Sequence, residues 1–127
     1  MQIFNQLVFE GFVTGSTTVY SDSSFDSIIG QANQISIAGY TAQVAGTSPT
    51  LTLQLEHSFD QVRWQNRNAT PEISATTLST SAETIFQGMD GDPQARPALP
   101  FARIRITLAG TNPSAQVKLW ATGRDAP

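Results

Sequence analysis

Apolar and polar residues alternate with a period of two along much of the chain, the pattern of strands that bury one face. The cleanest run is Leu51-Thr52-Leu53-Gln54-Leu55-Glu56, which sets three leucines on one face and Thr52, Gln54 and Glu56 on the other. Ala102, Ile104, Ile106 and Leu108 alternate in the same way with Arg103, Arg105 and Thr107, and Ala115, Val117, Leu119 and Ala121 with Gln116, Lys118 and Trp120. Between those two runs lies Gly110-Thr111-Asn112-Pro113-Ser114, a turn-rich stretch of hairpin length, so the pattern predicts a C-terminal antiparallel hairpin. The core expected from these phases contains Leu51, Leu53, Leu55, Ile104, Ile106, Leu108, Val117 and Leu119.

The rest of the chain reads less regularly. Residues 3–13 are apolar on both faces, with Phe4, Val8 and Phe12 opposite Ile3, Leu7 and Phe9, which predicts a long strand whose second face needs a cover. Residues 16–20 form a short β-branched run. In residues 34–44 the apolar phase changes at Gly39, from Ile35 and Ile37 to Tyr40, Ala42 and Val44, predicting a bulge there. Residues 61–65 and 84–87 complete a count of about eight strands. Thr70-Pro71-Glu72 has the chemistry of a helix start, but the Ser and Thr residues that follow are poor continuers, so this segment reads as loop and irregular strand. Residues 89–100, with Pro93, Pro97 and Pro100, read as an extended surface loop. With no helix to cover a sheet, the elements predict an all-β fold, a single antiparallel jelly-roll-like β-sandwich over residues 1–127.

Composition agrees with strands and narrows the chemistry. The chain of 127 residues has 12 Ser, 15 Thr, 11 Gln and 5 Asn against only 7 basic and 10 acidic side chains, a balance that suits pleated surfaces better than solvated helices. One lysine, Lys118, and a net charge of −3 argue against a nucleic-acid partner, which requires many phosphate-neutralising cations. The absence of cysteine, together with a single histidine, His57, removes disulfides, thiol catalysis and Cys/His zinc sites. Residues 1–13 lack a basic leader and are interrupted by Asn5, Gln6 and Glu10, so they read neither as a signal peptide nor as a membrane span.

No catalytic constellation emerges. His57 follows the leucine phase and reads as a residue at the core margin rather than a general base, and no nucleophile–base pair accompanies it. Asp90-Gly91-Asp92 offers two carboxylates where calcium needs six to eight oxygen ligands, so it reads as a turn. Asn68-Ala69-Thr70 matches the glycosylation sequon but reads as a chance match in a Thr-rich chain. Trp64 reads as a core aromatic. The expectation is therefore no enzyme activity, no cofactor and no metal.

The remaining anomalies point to association. Trp120 stands with Arg103, Arg105 and Lys118 on the polar phase of the last two strands, either lying under a loop or an arginine, or placed for an interface, where Trp and Arg are enriched. Phe4, Val8 and Phe12 form the second apolar row of the first strand, which makes residues 1–13 a candidate assembly strand. The predicted interface residues are thus Phe4, Val8, Phe12, Arg103, Arg105, Lys118 and Trp120.

Two segments carry a family resemblance. Residues 47–64, TSPTLTLQLEHSFDQVRW, and residues 100–111, PFARIRITLAGT, resemble the strand patterns of small β-sandwich structural proteins encoded among phage and prophage genes. The same patterns recur in discoidin-like, carbohydrate-binding jelly rolls. His57 and Phe59-Asp60-Gln61 depart from the usual small residue and Asn-Asp-Gly turn, and no residue here matches the sugar-binding loops one to one. The resemblance spans about residues 16–123. It implies a non-enzymatic structural component of a phage or phage-like particle, a capsid decoration or tail-associated protein made in a bacterial cytoplasm. Its partners would be copies of itself or a larger particle protein, with no nucleic acid or membrane involved. The alternative it implies is a carbohydrate- or surface-binding jelly-roll module.

Overall fold

Leu51 lies opposite Leu108, Leu53 opposite Ile106 and Leu55 opposite Ile104, so the two cleanest alternating runs sit side by side with their apolar phases on one face. All six side chains are buried. Burial of each contributes about 1.5–3 kcal/mol, and the pairing extends in both directions well beyond them. The computed structural model describes residues 2–89 and 99–125. It contains strands β1 (Gln2–Thr14), β2 (Thr17–Tyr20), β3 (Gln34–Ser58), β4 (Gln65–Asn66), β5 (Ile73–Thr77), β6 (Thr84–Met89) and β7 (Phe101–Arg124). A 3-10 turn over Ser23–Phe25 and the single-turn helix α1 (Asp26–Ile29) connect β2 to β3.

Every pairing is antiparallel, and all seven strands belong to one hydrogen-bonded sheet. The sheet is a ribbon four lanes wide. β1 and then β2 run along one side of β7, β3 runs along its other side, and β6 and β5 lie outside β3 with β4 beyond them. A crease crosses the lanes at Gly15, at residues 43–48 and at residues 110–112. Six of the seven positive-φ residues among those described lie on it: Gly15, Gln43, Gly46, Ser48, Gly110 and Asn112. Folding the ribbon over this crease brings its two halves face to face around one hydrophobic cluster. Leaf one holds β1, residues 116–124 of β7, residues 34–42 of β3, and β6. Leaf two holds β2, residues 101–109 of β7, residues 50–58 of β3, β5 and β4. The product is an all-β antiparallel sandwich.

The crease corrects several expectations. The C-terminal hairpin does not form, because Gly110-Thr111-Asn112-Pro113-Ser114 turns a corner within one long strand, and each half of β7 pairs with β3 instead of with the other half. Two runs counted separately at residues 34–44 and 51–56 likewise belong to the single strand β3, so the two mergers reduce about eight strands to six and β5 makes the seventh, two of them long and bent. The strand expected at residues 61–65 shrinks to β4 at Gln65–Asn66, because residues 61–64 bend away from the sheet. Register through Gly39 is continuous, and the shift falls between Ala42 and Ala45. Ile35, Ile37, Gly39 and Thr41 therefore face inward while Tyr40 faces out. The short helical turn at residues 23–29 was not expected. It is started by Asp22, whose carboxylate accepts from the Ser24 backbone N–H at 3.0 Å, and it buries Ile29.

Strand β1 also departs from simple alternation. Its pairing with β7 is irregular between Gln2 and Phe4 and again between Leu7 and Phe9. The second irregularity leaves Val8 bulged, with its carbonyl accepting from the Asp22 N–H at 2.8 Å. Phe4 and Val8 are buried at 7 % and 0 % exposure, so they belong to the core and form no outward apolar row. Phe12, beyond the bulge, is exposed, and Val13 takes the inward position. Asp90 and Asp92 lie outside the described residues, as does most of the proline-rich segment at residues 89–100.

Candidate interaction surface

The outward phase of leaf two is closed over by the chain itself. Residues 59–72 form a strap that crosses it, which is why Gln54 and Glu56 are buried although they alternate with the core leucines. Asp60 organises the start of the strap: its carboxylate accepts from the backbone N–H groups of Val62 at 2.9 Å and Arg63 at 2.8 Å and from the Ser58 hydroxyl at 3.1 Å, and it pairs with the Arg63 guanidinium. These backbone N–H groups hold the Asp60 carboxyl well below the usual carboxylate range. Farther along, Gln54 donates to the Asn68 carbonyl at 3.3 Å, and Glu72 accepts from the Leu55 N–H and the Asn68 side-chain amide, both at 2.6 Å. Asn68 is buried in this network through its side-chain amide.

Arg103 and Arg105 are drawn into the same closure. Glu56 accepts from Arg103 Nε at 2.8 Å and from Arg105 Nη1 at 3.0 Å. The Arg103 guanidinium carbon lies 3.8 Å from the Tyr20 ring centroid and 4.1 Å from that of Trp64, so the cation is held between two aromatic faces. Trp64 is half-buried on this outer side, a correction to its reading as a core aromatic. Beside the cluster, Asp26 is buried with Oδ2 accepting from Gln61 Nε2 at 3.4 Å, and burial pushes its carboxyl up.

Because β7 bends, Lys118 and Trp120 lie on the outer face of leaf one, away from Arg103 and Arg105 on leaf two. The expected four-residue cluster is therefore split between opposite sides of the sandwich. On leaf one, Trp120 and Tyr40 stack with centroids 6.1 Å apart at an interplanar angle of 28°. Lys118 Nζ pairs with Glu10 at 2.9 Å, which raises the Lys118 pKa and cancels the charge locally. Phe12 on β1 and Ile85 and Met89 on β6 flank this centre, 53 %, 82 % and 56 % exposed. Register places Leu7 beside Trp120, and Ile85 beside Tyr40.

Of the seven predicted interface residues, the structure places Phe12, Lys118 and Trp120 together on leaf one, locks Arg103 and Arg105 under the strap edge, and takes Phe4 and Val8 into the core. Reasoning from sequence passed over Tyr40, Ile85 and Met89. Their signal was present, since Ile85 and Met89 share a phase opposite Phe86, but an inward Phe and an outward Ile are equally apolar on paper. Among the described residues no group of three metal-ligating side chains occurs, and no helix is long and apolar enough to cross a membrane.

No protein-family model and no curated protein matches the sequence. Solved structures do match in fold. The CBM22-1 xylan-binding domain from Paenibacillus barcinonensis Xyn10C superposes with a TM-score of 0.57 at 9 % identity, over all of this chain and 97 % of that one. A chain of infectious bursal disease virus, Gx strain, gives 0.58 at 14 % identity, over 94 % of this chain and 31 % of that one. The CBM22-1–GH10 modules of Clostridium thermocellum Xyn10B give 0.56 at 12 % identity, over 97 % and 26 %. The chain thus spans nearly the whole of the first protein and less than a third of the other two, and what it shares with all three is the jelly-roll-type β-sandwich.

Proposed function

We propose that the chain is a non-enzymatic structural component of a phage or phage-like particle, a decoration or tail-associated protein that acts by docking onto other protein. The observation that carries this reading is the contrast between its outer faces. The sheet of leaf two is covered by the strap and by the Glu56 ion pairs, with Tyr20 and the strap's own Phe59 and Val62 exposed at that cover, whereas leaf one presents Phe12, Ile85 and Met89 directly on its strands around the Tyr40–Trp120 pair. An apolar, aromatic face whose Lys118–Glu10 pair is internally neutralised is suited to burial against another protein. The likeness to a virus chain supports the architecture, and the resemblance of residues 47–64 to phage structural proteins supports the setting. Synthesis in a bacterial cytoplasm followed by residence on the particle belongs to the same proposal.

The test is co-expression with the products of the adjacent genes, followed by sedimentation of the particles formed. The wild type is expected in the particle fraction, and the Phe12→Glu/Ile85→Glu variant in the supernatant. Recovery of both proteins in the same fraction overturns the proposed surface.

A second reading, a carbohydrate-binding module, is favoured by one specific observation: the fold match covers nearly all of a xylan-binding domain. In that case Tyr40 and Trp120 would supply ring faces for sugar stacking. Electrophoresis through a xylan-containing gel distinguishes it, with retardation of the wild type and its loss in Trp120→Ala.

A further inference from the structure

Edge strands present unpaired backbone groups, and folded proteins guard them with charge, proline, bulges or brevity. β1 has such guards, namely two irregularities in register and Glu10. β2 and β4 are 4 and 2 residues long, and the pairing of β5 with β3 is interrupted between Leu51 and Leu53. β6 has none of them. Its sequence TIFQGM contains no charge and no proline, and its register with β3 runs unbroken from Thr84 opposite Thr41 to Met89 opposite Ser36. Among the described residues, no strand pairs with its other edge.

We propose that this edge pairs antiparallel with β6 of a second copy, about a two-fold axis through Gln87. The inference rests on the reading of the chain as an association module and names one partner, another molecule of itself. Directly opposed residues in an antiparallel pair share a face, so an allowed register must match outward with outward. With Gln87 opposite Gln87 of the second copy, Ile85 meets Met89 and Phe86 meets Gly88. The two most exposed apolar groups of the strand then cover each other on the outer side. On the inner side Gly88 brings no side chain; its inner face is covered by the Glu72 carbonyl and the Ile73 side chain of its own chain, and each Phe86 ring stays packed over Gly39 of its own sheet. On the axis, each Gln87 amide has one acceptor and two donors, so two of them satisfy each other reciprocally. Such a contact is isologous and closed, giving a dimer rather than a filament. It would join two copies of leaf one into a single sheet eight lanes wide.

Light scattering of the full chain over rising concentration should show a mass approaching twice 13.7 kDa. Gln87→Lys and Gln87→Glu each set like charges on the axis and should each halve that mass. Gln87 is exposed, so both variants keep the fold, which circular dichroism checks. Mixing the two variants in equal amounts should restore the dimer, because opposite charges then meet on the axis. Phe12→Glu, on the opposite edge of leaf one, should leave the dimer intact while weakening particle association, so loss of docking and loss of dimerisation are read separately. A wild type that stays monomeric, a Gln87→Lys variant that stays dimeric, or a mixture that stays monomeric overturns the proposal.

Discussion

The Arg103 guanidinium carbon lies over the Trp64 ring, 4.1 Å from its centroid, and this contact joins the strap to the sheet it covers. The strap has no regular pairing beyond the two residues of β4, so side chains do most of the fastening.

Trp64→Ala is expected to destabilise the fold by about 1–2 kcal/mol, the range for a partly desolvated cation–π contact. Arg103→Ala should cost more, about 3–5 kcal/mol, since it removes both stacks and breaks one of two pairs to the buried Glu56. Urea titrations give both values. Equal and negligible costs would mean that the strap is held by its hydrogen bonds alone.

The buried Asp26 gives stability a defined pH dependence. Its folded pKa lies above the ordinary value of 3.8, because burial disfavours the charge more than Gln61 and Arg103 favour it, with Asp22 adding repulsion. A carboxyl raised on folding contributes stability fully below its unfolded pKa, and loses it as pH rises through the folded one. Asp26→Asn should therefore raise the urea midpoint at pH 7 relative to wild type, with the advantage fading as pH falls toward 3.8. Asp60, lowered on folding, acts in the opposite sense, so its contribution is lost in acid. A midpoint difference independent of pH would remove Asp26 as the cause.

Phe4 packs its ring over Gly123, its cross-strand partner, where an added Cβ would overlap the ring carbons. Gly123→Val should cost about 1–3 kcal/mol through overpacking. Calorimetry on Gly123→Val and on Phe4→Leu/Gly123→Val should find the double variant closer to wild type, since the smaller side chain frees the space.

Leu53→Ala and Ile106→Ala each empty a fully buried position and should cost about 2–5 kcal/mol apiece. Because the two face each other across the strands, their double-variant cost should differ from the sum, as contacting sites do. Strict additivity in denaturant titrations would argue against their direct packing.

The apolar phases of Leu51, Leu53, Leu55, Ile104, Ile106 and Leu108 were legible from alternation alone, because a one-residue slip would put all of them in water. Which strands pair was not legible. Gly110, Asn112 and Pro113 suit a hairpin and a corner equally well, and only the long partner β3 decides between them. Alternation also misplaced Phe4 and Val8, since a bulge reverses phase without a marker in composition. At the candidate surface, Phe12, Lys118 and Trp120 could be read, whereas the fate of Arg103 depended on Trp64, a residue 39 positions away whose strap has no periodicity to announce it.

Each of β3 and β7 crosses the crease and so serves both leaves, and their partnered residues are separated by 43 positions at Ser58 and Phe101 and by 90 at Gln34 and Arg124. Neither leaf can be completed while the other is open, so unfolding is expected to be a single cooperative event with no half-sandwich populated. Pairings this distant in sequence also place the chain among slow folders, on the scale of milliseconds to seconds. Until β7 has been synthesised and docked, β3 has no central partner, and during that interval the nascent chain exposes a 25-residue strand to its neighbours.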